Sequence, residues 1–126
     1  MINFKNTSVL VIGASENPER YVYKAIKLLN RNGYNVSALA IKAGNIDTIN
    51  FSTNTEDLKK ENIDTVTLYV NSKNQEKYKE FIIQLKPRRV IFNPGTENED
   101  FYDDLKRNNI AYEEACTLVL LNTGQF

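Results

Sequence analysis

Three small residues, Gly13-Ala14-Ser15, separate an apolar run from the helix-start signal Asn17-Pro18. Small residues at the mouth of a helix bring backbone amides and the positive end of the helix dipole close to a bound phosphate. The segment therefore reads as a phosphate cradle or, more simply, as a tight strand-to-helix turn. Only the first glycine of the dinucleotide pattern G-x-G-x-x-G is present. Arg20 falls in the expected first turn, where a cation opposes the dipole unless it faces an anion. It reads as a phosphate ligand, or as a solvated partner of Glu16 or Glu19. Tyr21 and Tyr23 are candidate cleft walls or simple packing residues.

Further along, Ala40-Ile41-Lys42 stands where dinucleotide folds place an acid for the ribose hydroxyls. A lysine there favours a ligand with an additional ribose phosphate, which both coenzyme A and NADP carry, or it is an exposed loop cation. Asn93-Pro94-Gly95 offers an amide side chain and a rigid turn before another helix, suited to a pyrophosphate or to a plain turn. Asn71 is a weaker case of the same kind. Cys116 is the single cysteine and there is no histidine. That excludes an internal disulfide, His-containing metal sites, histidine acid/base chemistry and the serine-hydrolase triad. We expect no metal site and no catalytic constellation, and Cys116 reads as a buried apolar residue rather than a nucleophile.

The elements that must position these residues follow from hydrophobic period. Ser8–Ile12, Asn35–Ile41, Asp64–Val70, Arg89–Phe92 and Ile110–Glu113 are short runs predicted as strands, the first buried on both faces. Between them lie helical patterns, each with start or stop signals. Asn17-Pro18 opens one whose stripe is Ala25, Ile26, Leu28 and Leu29 and whose stop is Gly33. Thr55 caps a short one, Asn74 caps one running to Leu85 before Lys86-Pro87, and Glu97–Asn108 carries acids first and Lys106-Arg107 last. Ile46–Phe51 is a weak, hairpin-like excursion, and Leu118–Leu121 with Phe126 either closes the core or docks a partner or a second copy. The order predicts an α/β, doubly wound, mainly parallel sheet of about five or six strands with helices on both faces, in one domain over residues 1–126. In such a sheet ligands bind beyond the carboxyl ends of the strands, the edge that Gly13-Ala14-Ser15, Ile41-Lys42, Asn71-Ser72 and Asn93-Pro94-Gly95 should line.

With 126 residues and 41% apolar content there is material for one core. Sixteen basic against sixteen acidic residues leave no net charge, so sequence-independent nucleic-acid or membrane-surface binding is not expected. No apolar run approaches membrane-spanning length, and Met1–Lys5 does not open a secretion signal. These features together predict a cytoplasmic protein.

The chain resembles the stand-alone CoA-binding domain proteins and is similar to the CoA-binding N-terminal domain of the succinyl-CoA synthetase alpha subunit. The resemblance runs through Val11-Ile12-Gly13-Ala14-Ser15, Asn17-Pro18-Glu19-Arg20, Asn32-Gly33-Tyr34-Asn35-Val36 and Ile63-Asp64-Thr65-Val66-Thr67-Leu68. It continues through Val90-Ile91-Phe92-Asn93-Pro94-Gly95 and Glu113-Glu114-Ala115-Cys116. It implies a Rossmann-like domain with CoA at the strand edge: Gly13, Ala14, Ser15 and Arg20 at phosphates, Ile41 and Lys42 near the adenosine, Val70 and Asn71 near adenine or pantetheine. Pro18 belongs to the same motif. The family's usual proline after the second strand is replaced by Ala40-Ile41-Lys42, its usual glutamine by Asn93, and its acidic residue and arginine before the cysteine by Glu114-Ala115. With no histidine and no second domain, the resemblance implies non-catalytic binding of CoA or an acyl-CoA. The alternatives are an NADP-binding oxidoreductase or redox sensor, and an interaction scaffold with a vestigial nucleotide cleft.

Overall fold

The computed structural model describes residues 7–126; the reading of Met1–Lys5 lies outside them. Seven strands form one sheet: β1 (Ser8–Ile12), β2 (Asn35–Leu39), β3 (Asn45–Ile46), β4 (Ile49–Ser52), β5 (Thr65–Leu68), β6 (Arg89–Phe92) and β7 (Ala111–Glu114). Their spatial order is β3-β4-β2-β1-β5-β6-β7. All neighbours are parallel except the antiparallel β3–β4 pair. The sheet is thus an α/β doubly wound one. It has more strands than the five or six expected, because the weak Ile46–Phe51 excursion forms a hairpin whose second strand joins β2.

Among the described residues five α-helices accompany the strands: α1 (Tyr21–Arg31), α2 (Ser72–Gln75), α3 (Lys79–Leu85), α4 (Glu99–Arg107) and α5 (Thr117–Asn122). Strand residues alternate between two cores. Val9 and Val11 join Val22, Ile26 and Leu29 of α1 on one face. Leu10 and Ile12 join Ile82, Phe101 and Leu105 on the other. That double burial is why β1 reads as an unbroken apolar run. Leu121 and Phe126 pack against the α1 side, so the carboxyl-terminal segment closes the core, while Val119 is exposed.

Several predicted boundaries move, each for a local reason. Asn17 does not cap α1: its carboxamide oxygen accepts from the Glu19 amide and its carbonyl from the Arg20 amide, closing a separate turn around Pro18. The helix then starts three residues after Pro18. Asn71, rather than Asn74, caps the next helix, which is interrupted by a 3-10 turn at Glu76–Tyr78. Asn54, rather than Thr55, caps the 3-10 turn Thr55–Leu58. β2 ends at Leu39 and β5 at Leu68, leaving Ala40–Lys42 and Tyr69–Asn71 as loops at the carboxyl edge. No helix among the described residues is long and apolar enough to cross a membrane.

Candidate functional site

The parallel strands run outward in both directions from the β1–β5 boundary, β1 and β2 to one side and β5 and β6 to the other. Loops leaving the carboxyl ends of β1 and β5 must therefore diverge, and the gap between them is the expected ligand crevice. A cleft of about 620 Å³ opens there, within the roughly 300–1,000 Å³ common for small-molecule sites. Its lining includes Gly13, Ala14, Ser15 and Arg20 after β1, Ile41 and Lys42 after β2, and Val70 and Asn71 after β5. Eight of the residues singled out by sequence thus converge on one cavity.

Gly13 makes this convergence possible. Its φ is +99°, and a β-carbon built there would lie 2.9 Å from the Tyr69 carbonyl oxygen and 3.0 Å from Val70 Cγ1, so β1 and β5 meet at a distance only glycine permits. The Gly13 and Ala14 amides do not point at the cleft. Both donate to the Leu39 carbonyl, at 2.9 and 3.1 Å, which ties the loop to β2. The Ser15 hydroxyl oxygen accepts from the Asn17 amide, leaving its proton to donate elsewhere.

The open donors lie one turn on. Arg20 occupies the capping position of α1 in an extended conformation; no side chain caps this helix and no acid stands in its first turn. Its first amides and dipole are uncompensated by the usual side chains. Among the described residues neither Arg20 nor Lys42 forms an ion pair. Two free guanidinium and ammonium groups and a bare helix end around one cavity make a site suited to an anion.

Five expected residues lie elsewhere. Pro18 is exposed on the turn before α1 and does not line the cleft. Tyr21 is 71% exposed and lies under the Lys24 ammonium, 5.7 Å from its ring centre. Asn93 is buried: its amide nitrogen donates to Thr67 Oγ1 and to the Leu68 carbonyl, and its oxygen accepts from the Thr117 amide. It is a tie between β5, β6 and α5. Pro94 and Gly95 are exposed outside the cleft, and the adjoining Thr96 carbonyl accepts from buried Gln75, which in turn accepts from Asn98. Asparagine side chains at strand ends satisfy local backbone as readily as they meet a ligand, which is why sequence did not separate Asn93 from Asn71.

The cleft also contains residues that sequence reading passed over, among them Glu16, Phe51, Tyr69 and Tyr78. Tyr69 forms part of the floor beneath the β5 loop. Its hydroxyl oxygen is buried with no hydrogen-bond partner among the described residues. Burial pushes this phenol up to about 12, the Cys116 thiol adding to that and Thr117, near but outside good hydrogen-bond geometry, opposing it. Cys116 is half-buried at the start of α5. Its strand-end position was visible in sequence; its proximity to Tyr69 was not.

The model of a CoA binding domain matches residues 7–122 of this chain. None of the curated proteins matches it. The fold is similar to that in a crystal structure of an uncharacterized protein, with a TM-score of 0.90 at 38% identity, covering 95% of this chain and 98% of that one. The cell-free ID.343 protein from Thermus thermophilus is similar with a TM-score of 0.84 at 20% identity, covering 95% and 90%. A conserved hypothetical protein from Pyrococcus furiosus follows at 0.78 and 22%, covering 90% and 97%.

Proposed function

We propose, from the premise that this chain belongs to the family of CoA binding domains, that it holds coenzyme A or an acyl-CoA in the β1–β5 cleft without transforming it. The observation that carries this reading is the bare amino end of α1 flanked by Arg20 and Lys42, two cations with no ion-pair partner among the described residues, at one cavity. CoA presents three phosphate groups, and that arrangement supplies what they need. Arg20 and the first amides of α1 would hold the diphosphate with the Ser15 hydroxyl. Lys42, on the β2 side, would meet the ribose phosphate beside exposed Ile41, and Val70 and Asn71 would flank the remainder of the ligand. Gly13 and Ala14 act indirectly, bringing the loop close to β5 and fastening it to β2.

The reading is tested by thermal unfolding with CoA, dephospho-CoA, acetyl-CoA, NADP and NAD. A ligand at 100 times its Kd adds about 2.7 kcal/mol of stability, which for a chain of this size raises Tm by about 10 °C. The expected order is CoA and acetyl-CoA above dephospho-CoA, with Lys42→Ala removing that difference. A larger shift with NADP than with CoA would reassign the ligand. No shift with any of the five at millimolar concentration would overturn nucleotide binding altogether.

A further inference from the structure

Glu16 is a carboxylate lining a cleft suited to anions, where its charge alone works against binding. Its position is set by a contact between neighbouring loops: Glu16 Oε2 accepts a hydrogen bond from the Asn45 amide at 2.9 Å. The approach is close enough that a β-carbon on Gly44 would lie 2.7 Å from Glu16 Cδ. Gly44 has no left-handed φ, so a side chain is disfavoured here by space rather than by conformation.

The loop that Glu16 grips carries Lys42. At its start the Ala40 amide donates to the Ser52 carbonyl at 2.9 Å; at its end the Gly44 carbonyl accepts from the Phe51 amide at 2.8 Å. Both of those anchors come from β4, the strand beyond β2. Ile41, Lys42 and Ala43 between them are exposed. Glu16, 29 residues away in sequence, reaches the loop from the neighbouring β1 loop, the segment that leads to Arg20, and adds a second tie beyond the Gly13 and Ala14 amides on Leu39. The bond therefore holds the two cation-bearing loops, neighbours on one side of the cleft, at one separation.

We propose that Glu16 is a positioning residue that sets discrimination for the ribose phosphate by strapping the Ile41–Asn45 loop to the β1 loop and so presenting Lys42; this rests on the CoA reading above. Its carboxylate sacrifices some general attraction for anions in exchange for a defined distance between two binding points.

The test compares Kd for CoA and dephospho-CoA in the wild type, Glu16→Ala and Glu16→Gln, with hydrogen exchange of the Asn45 amide measured without ligand. The wild type should prefer CoA by roughly ten-fold or more, the scale of one charge-assisted contact. Glu16→Ala should reduce that preference to within about two-fold and speed Asn45 exchange. Glu16→Gln, whose amide oxygen can accept the same hydrogen bond, should keep both the preference and the slow exchange. If both variants bind both ligands more tightly with the preference intact, Glu16 acts only through its charge and the proposal falls. It also falls if Glu16→Ala weakens both ligands equally or leaves Asn45 exchange unchanged. A wild type that binds CoA and dephospho-CoA equally well overturns this proposal but not CoA binding; one that binds neither overturns both.

Discussion

The amino ends of α1 and α4 each follow a parallel strand at the same edge of the sheet, yet their chemistry is opposite. At α4, the Asn98 oxygen accepts from the Phe101 amide, Glu99 and Asp100 occupy the first turn, and the Asn98 amide donates to Gln75 Oε1. A side-chain cap and two leading acids, both favoured devices for a helix start, are present. At α1 an arginine takes the capping position with none of them. A missing cap costs about 1 kcal/mol, and α1 is the helix that opens onto the switch-point cleft. The comparison teaches that a strand-to-helix turn reads as a ligand site by what its helix end lacks, not by its glycine or proline.

The strongest way to break this contrast is at Asn93. Removing its side chain in Asn93→Ala leaves the buried Thr117 amide without its acceptor and takes one partner from the Leu68 carbonyl and one from Thr67, which keeps Thr117 Oγ1, and should cost about 3 kcal/mol in urea unfolding. CoA affinity of the folded protein should stay within about two-fold; a loss in affinity matching the loss in stability would place the β6 loop in the site. Next in size, Arg20→Asp converts the bare end of α1 into one resembling α4. It should weaken CoA by about fifty-fold by calorimetry while raising stability by about 1 kcal/mol, opposite signs from one substitution. Asn98→Ala is the converse: about 1.5 kcal/mol less stable, with CoA affinity unchanged.

The smallest effect sharpens the cleft side. The phenol of Tyr69 is held up to about 12 by burial, above its ordinary value of about 10, so the folded state favours the neutral form. Its contribution is fully present below pH 10 and is lost as pH rises from about 10 through 12. Stability of the wild type should therefore fall relative to Tyr69→Phe between about pH 10 and 12 in chemical denaturation. A constant difference across that range would mean that the hydroxyl is accessible to water.

The alternation of β-branched runs with amphipathic segments, Ser8–Ile12 with its unbroken apolar stretch above all, was enough to order the elements and choose the doubly wound class. Given that class, topology alone sent Gly13, Arg20, Lys42 and Asn71 to one edge, because parallel strands share a direction and their carboxyl ends must lie together. The leading acids and trailing cations of α4 were legible too, since they lie within the element itself, whereas its cap at Asn98 and its start at Glu99 came only from the structure.

What only the tertiary structure decided was the direction of each side chain at that edge. Asn93 turned inward because the Thr117 amide, 24 residues away, needed an acceptor; Tyr21 turned outward because the Asn17–Arg20 turn delayed the helix and rotated its first residue from the cleft. Glu16 found Asn45 only when the β3–β4 hairpin folded beside β2. Periodicity reports which face of an element is buried, since burial repeats along the element. At element ends that repetition stops, and orientation is set by whichever distant backbone group lacks a partner, a quantity that exists only once the chain is folded.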